Sequence, residues 1–151
     1  IVQELCLNVA ERVFADARDV ANQDDVDVAI DKYLESHETR MLGKYMAAIE
    51  TTGPRRYRKQ ILHTIARLDT DYATMEDLVA GVSASIGEDV PPTALSGPLR
   101  SLKDADYGSI LSDVSRVESG DRIANLTTFT DPMMKSFVRF MAQKEDAATH
   151  G

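Results

Sequence analysis

The chain has 151 residues, 43% hydrophobic and 28% charged, the composition of an ordinary globular protein with apolar surface for one large domain or two small ones. Its formal charge of −8 lies mostly in the first third, with −6 on residues 1–53 and −2 on residues 54–151, so the surplus of Lys and Arg that drives dedicated nucleic-acid binders is missing. No run approaches the roughly 20 apolar residues of a membrane span, no charged-then-apolar leader is present, and a lone Cys6 excludes an internal disulfide, all of which points to a cytoplasmic protein with no membrane partner.

Taken in order, residues 1 to about 20 read as a helix. Val2, Leu5, Cys6, Val9, Val13 and Phe14 form its apolar stripe, and Cys6, set among Leu5, Leu7 and Val9, is expected to pack in a core. The sequence opens at Ile1-Val2-Gln3, in mid-helix and without an initiator Met, which suggests a piece of a longer polypeptide. Asn22-Gln23-Asp24-Asp25 breaks the pattern. Asp24 or Asp25 is expected to cap a second helix carrying Val26, Ala29, Ile30, Tyr33 and Leu34, and a third runs from His37 to about Thr51 over Met41, Leu42, Tyr45, Met46 and Ile49, with Gly43 tolerated at some cost. Thr52-Gly53-Pro54 then marks a boundary, since Gly can end one helix and Pro can start the next.

Beyond that boundary, Arg55 to about Leu68 is predicted helical on the spacing of Tyr57, Ile61, Leu62, Ile65 and Leu68. Thr74 caps a helix over Met75–Ile86 with a buried face of Leu78, Val79, Val82 and Ile86, and Gly87 ends it. Leu95, Leu99 and Leu102 line a helix from Thr93 to about Asp104. There Gly97-Pro98 implies either a short helix capped by Ser96 or a longer one bent at the proline. Mixed polar and β-branched residues in Ser109–Val117 and Arg122–Phe129, separated by Ser119-Gly120-Asp121, read as a hairpin. Asp131-Pro132 starts a closing helix that buries Met133, Met134, Phe137, Val138 and Met141, turns Lys135, Arg139 and Lys144 outward, and frays over Ala147–Gly151. Three helices, a two-stranded ribbon and a closing helix are the order of a winged helix-turn-helix, giving a mainly α fold with one small β-hairpin.

Chemistry is sparse. No glycine opens a phosphate-binding GxxxxGK[ST] run, the three histidines lack metal-ligand spacing, and no nucleophile elbow is present, so no catalytic residue, cofactor ligand or metal ligand is assigned. Arg55-Arg56-Tyr57-Arg58-Lys59 is the sharpest basic feature, suited either to phosphate contact or to pairing with the acidic first third. Four cations at a helix N-terminus oppose its dipole and want compensation. On a DNA-reading winged helix the third helix would offer Thr93, Ser96, Arg100, Ser101 and Lys103, with Arg116 and Arg122 near the wing. Asp104, Asp106, Asp113, Glu118 and Asp121 surround them, so a winged helix used for packing on another domain is an equal reading.

Several stretches resemble the C-terminal region of prokaryotic AAA+ or STAND-type ATPases. Val2-Gln3-Glu4-Leu5 and Asp25-Val26-Asp27-Val28-Ala29-Ile30 are similar to the family's lid helices, and Arg56-Tyr57-Arg58-Lys59-Gln60-Ile61-Leu62 to its first winged-helix segment. Leu99 to Gly108 looks like its helix-to-wing step, and Phe129-Thr130-Asp131-Pro132-Met133-Met134-Lys135-Ser136-Phe137 like its closing helix. The family pattern continues Gly-Leu-Ile after that step, whereas this chain reads Asp106-Tyr107-Gly108-Ser109-Ile110. The resemblance implies a helical lid-like subdomain over residues 1–53, a winged helix over 54–146 and a tail over 147–151. It further implies that ATP and Mg²⁺ belong to an upstream ATPase domain of the same polypeptide, with duplex DNA or a protein as further partner. No phosphate loop or nucleotide sensor of the family falls within this sequence. A free-standing winged-helix transcription regulator is the alternative.

Overall fold

A computed structural model describes residues 2–50, 56–118 and 121–150, with the side chains at 34, 107, 115–118, 121–125 and 150 outside the description. The Thr52-Gly53-Pro54 boundary, Arg55 and the Ser119-Gly120 turn therefore lie outside the described residues. The described chain is mainly helical with one two-stranded antiparallel sheet. It forms two compact units, residues 1–42 and residues 43–151, whose boundary falls within one helix.

The first unit contains α1 (Val2–Ala15) and most of α2 (Gln23–Ile49). α1 ends five residues earlier than its hydrophobic pattern suggests, because Ala17 turns left-handed at φ 52°. Arg18 N–H then donates to Val13 O and Ala17 N–H to Phe14 O, the paired bonds of a Schellman stop. Asn22, rather than Asp24 or Asp25, caps α2. Its Oδ1 accepts from Asp25 N–H at 3.0 Å, while Asp25 Oδ2 accepts from Asn22 N–H at 2.8 Å. The two helices run antiparallel, with Arg12 bonded to Asp25 at 2.9 Å and Glu4 lying 3.9 Å from His37. Ala29, Tyr33 and His37 are buried, and the His37 ring stacks on Tyr33 while its Nδ1 lies 2.9 Å from Tyr33 O.

One expectation fails here. No residue of α1 is buried; Val2 and Phe14 are 73% and 86% exposed, and Cys6 is exposed rather than packed. The apolar stripe exists but is enclosed only in part, with Leu5, Val9 and Val13 half-buried. The two helices expected at 25–34 and 37–51 are also one continuous helix, because Glu35-Ser36 contains neither Gly nor Pro and Ser36 satisfies its hydroxyl on Tyr33 O.

In the second unit, α3 (Arg58–Arg67) is the innermost element. All six residues from Ile61 to Ala66 are buried, with α4 (Met75–Ile86) and α6 (Pro132–His150) packed against it. α4 begins with a capping box, Thr74 Oγ1 accepting from Asp77 N–H and Asp77 Oδ2 from Thr74 N–H, and ends at Gly87 with φ 79°. Its buried face is narrower than expected: Leu78 and Val82 are enclosed, Val79 is half-buried and Ile86 is exposed. α5 (Pro92–Lys103) buries Leu95, Leu99 and Leu102 and carries Pro98 within it. Ser96 hydrogen-bonds back to Pro92 O instead of capping.

A 3₁₀ turn at Ala105–Tyr107 leads to β1 (Leu111–Glu118), which pairs antiparallel with β2 (Asp121–Phe129) from Leu111↔Phe129 to Glu118↔Asp121. An irregularity between Val114 and Arg116 shifts the register by one. Ala73, in the joint between α3 and α4, bridges Thr127 by two backbone bonds of 2.8 and 2.9 Å. α6 starts as predicted, with Asp131 Oδ1 accepting from Met133 N–H and Pro132 at its first position. It buries Met134, Val138 and Ala142, leaves Met133, Phe137 and Met141 half-buried, and continues to His150 where a frayed tail was expected.

Candidate functional site

The sequence directs attention to the basic run before α3 and to the outer face of α5. The basic run does not form one surface. Arg56 is exposed, but Arg58 is only 2% exposed and points Nη1 at Ala48 O, 3.4 Å away; Lys59 is ion-paired with Glu145 of α6. Tyr57, between them, holds φ 88°, a left-handed conformation disfavoured for a bulky side chain. Arg58 is thus a core residue, a correction to its reading as a surface contact. The expected compensation of these charges comes from α6 for Lys59.

The α5 face is more coherent. Thr93, Ser96 and Arg100 follow at helical spacing and all three are exposed, offering two hydroxyls and a guanidinium that suit phosphate or carboxylate oxygens. Lys103, one turn on, is committed to an ion pair with Asp113 of β1. Arg100 and Lys103 border a cleft of about 640 Å³ beside α4 and the hairpin, with Leu78, Leu99 and Thr127 in its lining and Asp104 and Asp113 supplying opposing charge. Arg116 and Arg122 sit in β1 and β2, registered with Ile123 and Val117; their side chains are outside the description. The structure therefore brings Thr93, Ser96, Arg100 and Lys103 together, places Arg58 inside, and leaves Arg55 undescribed.

Three features escaped the sequence reading. Arg139 and Lys135, expected to face outward, instead reach the end of α3 and the joint after it. Arg139 Nε donates to Ala66 O at 2.7 Å and Nη2 to Leu68 O at 3.1 Å, while Lys135 Nζ donates to Thr70 O at 2.6 Å. Cations at a helix C-terminus satisfy its free carbonyls and favour its dipole. Second, Tyr45 OH and His63 Nε2 lie 2.8 Å apart in the core, a pair 18 positions apart in sequence with no local signal. Burial lowers the His63 pKa and pushes the Tyr45 hydroxyl up to about 12. Third, the apolar stripe of α1 borders a groove of about 790 Å³.

Among the described residues no group of three or more His, Cys, Asp or Glu side chains is placed to hold a metal ion, and no helix is long and apolar enough to cross a membrane. Comparison with protein-family models, with curated proteins and with solved structures returns no match for this chain.

Proposed function

We propose that the chain is a non-catalytic regulatory and interaction module of an AAA+/STAND-type ATPase: a helical, lid-like subdomain followed by a winged helix-turn-helix whose outer surface meets a protein partner or DNA. The observation that supports the winged-helix part of this reading is the two-bond bridge between Ala73 and Thr127. It ties the α3–α4 joint to the hairpin, as a wing packed beside a helix-turn-helix would be, while Thr93, Ser96 and Arg100 of α5 stay exposed. On this reading ATP and Mg²⁺ bind an upstream domain of the same polypeptide, and this chain transmits the nucleotide state.

Of the two partners the surface favours protein. On α5 the exposed polar set is Thr93, Ser96 and Arg100, Lys103 is committed to Asp113, and the chain carries −8, so few cations face a phosphate backbone. Fluorescence anisotropy with a labelled duplex at physiological salt should give a Kd weaker than about 1 µM, the range of unspecific contact. A submicromolar Kd that falls steeply with salt, and is lost in Arg100→Ala, would favour the free-standing transcription regulator instead.

A further inference from the structure

The apolar stripe of α1 is a feature that the proposed winged-helix surface does not use. Val2, Leu5, Val9, Val13 and Phe14 follow at spacings of three, four, four and one along the helix, and Val26 of α2 completes the lining of one open groove. No α1 residue is fully buried: Leu5, Val9 and Val13 are half-buried, and the two at its ends, Val2 and Phe14, are 73% and 86% exposed. Contiguous apolar surface of this kind is costly in water and marks a binding face.

The net charge of the first unit, with Asp19 at the groove, favours a cationic occupant. Residues 1–42 carry four cationic and ten acidic side chains, a formal −6, and Asp19 stands in the groove lining itself. Among the described residues the one cation in the lining, Arg18, is neutralised by hydrogen bonds to Asp16 and Asp25. A second copy would bring another −6 against the first. An apolar stripe flanked by Lys and Arg would instead gain both burial and attraction. From Val2 to Phe14 the groove spans roughly 18 Å at 1.5 Å per residue, the length of about three helical turns.

We propose that the α1 groove binds a cationic amphipathic helix, presented by a partner protein, with its apolar face against Val9 and Phe14 and its Lys or Arg flanks drawn by Asp19 and the net negative charge of the first unit. This holds whatever the second unit contacts. The test uses the whole 151-residue chain and two fluorescein-labelled synthetic helical peptides with one shared leucine stripe, one bearing Lys and Arg on its polar face and the other Glu. Anisotropy should show saturable binding of the cationic peptide and roughly tenfold or weaker binding of the acidic one. Val2→Ser with Phe14→Ser, which removes apolar area without altering charge, should weaken the cationic peptide roughly tenfold. Asp19→Asn should weaken it roughly threefold. Both positions are exposed at the end of a helix, so circular dichroism should be unchanged in the variants. Equal binding of the two peptides, or binding indifferent to the double serine variant, would overturn the proposal. So would light scattering showing a dimer that the same variant dissolves, because a second copy would then already fill the groove.

Discussion

Gly43 and Gly81 both sit inside helices, where glycine costs about 1 kcal/mol against alanine in backbone entropy. Their surroundings reverse that sign at one of them. A Cβ at Gly43 meets nothing within 4 Å, whereas a Cβ at Gly81 would lie 2.2 Å from Thr64 Cγ2 and 3.0 Å from Thr64 Cβ. Rotation about χ1 could move the methyl but not Cβ, and a β-branched side chain on a helix has little freedom. Gly43→Ala should therefore stabilise the protein by about 0.5–1 kcal/mol, and Gly81→Ala should destabilise it by about 1–3 kcal/mol through overpacking of α3 on α4. Urea denaturation of the two variants checks both signs. Nothing in the sequence distinguishes the two positions, because the contact comes from a residue 17 places away.

At the level of elements, legibility followed chemistry that acts locally. Thr74 with Asp77, Gly87, Asp131-Pro132 and the hairpin strands each carry their signal within a few residues, and each was readable. The end of α1 was not, since an alanine occupies the left-handed position where glycine would have announced it. Arg139 was misread for a different reason: helical spacing places it outside the apolar stripe, yet its long side chain curls back to the carbonyls that end α3. That leads to an element-scale expectation. Arg139→Met should cost about 1.5–3 kcal/mol by orphaning two part-buried carbonyls, while Lys144→Met on the same helix stays within about 0.5 kcal/mol, both read from urea midpoints at constant slope.

For the molecule as a whole, the candidate surface was only partly visible in advance. The α5 face followed from spacing alone, but whether a cation is exposed, paired or enclosed depends on tertiary partners, as Arg58, Lys59 and Lys103 each show. The two units also answer acid differently. Burial holds the His63 pKa below its ordinary value; Glu145 and Asp146 oppose that, and Lys59 and Arg67 add to it. The unfolded chain therefore takes up a proton near pH 6.5 that the folded second unit refuses, and stability declines as pH falls below about 6.5. Asp25 responds in the same direction but in a lower pH window. Hydrogen bonds from Arg18, then from Asn22 N–H and Arg12, hold its carboxyl below the usual range, so its contribution is complete above about pH 4 and is lost as pH falls below that. Denaturation followed between pH 7.5 and 5 should show a loss of stability that His63→Gln removes and Asp25→Asn leaves in place.

Cys6 is the only sulfhydryl on the chain, and it stands in the open on the face that also carries the groove. In aerated buffer two molecules can become tethered sulfur to sulfur through that face, producing a covalent pair that mimics self-association and hides the groove from any other ligand. Reductant throughout, or a Cys6→Ser background, separates that artefact from genuine stoichiometry.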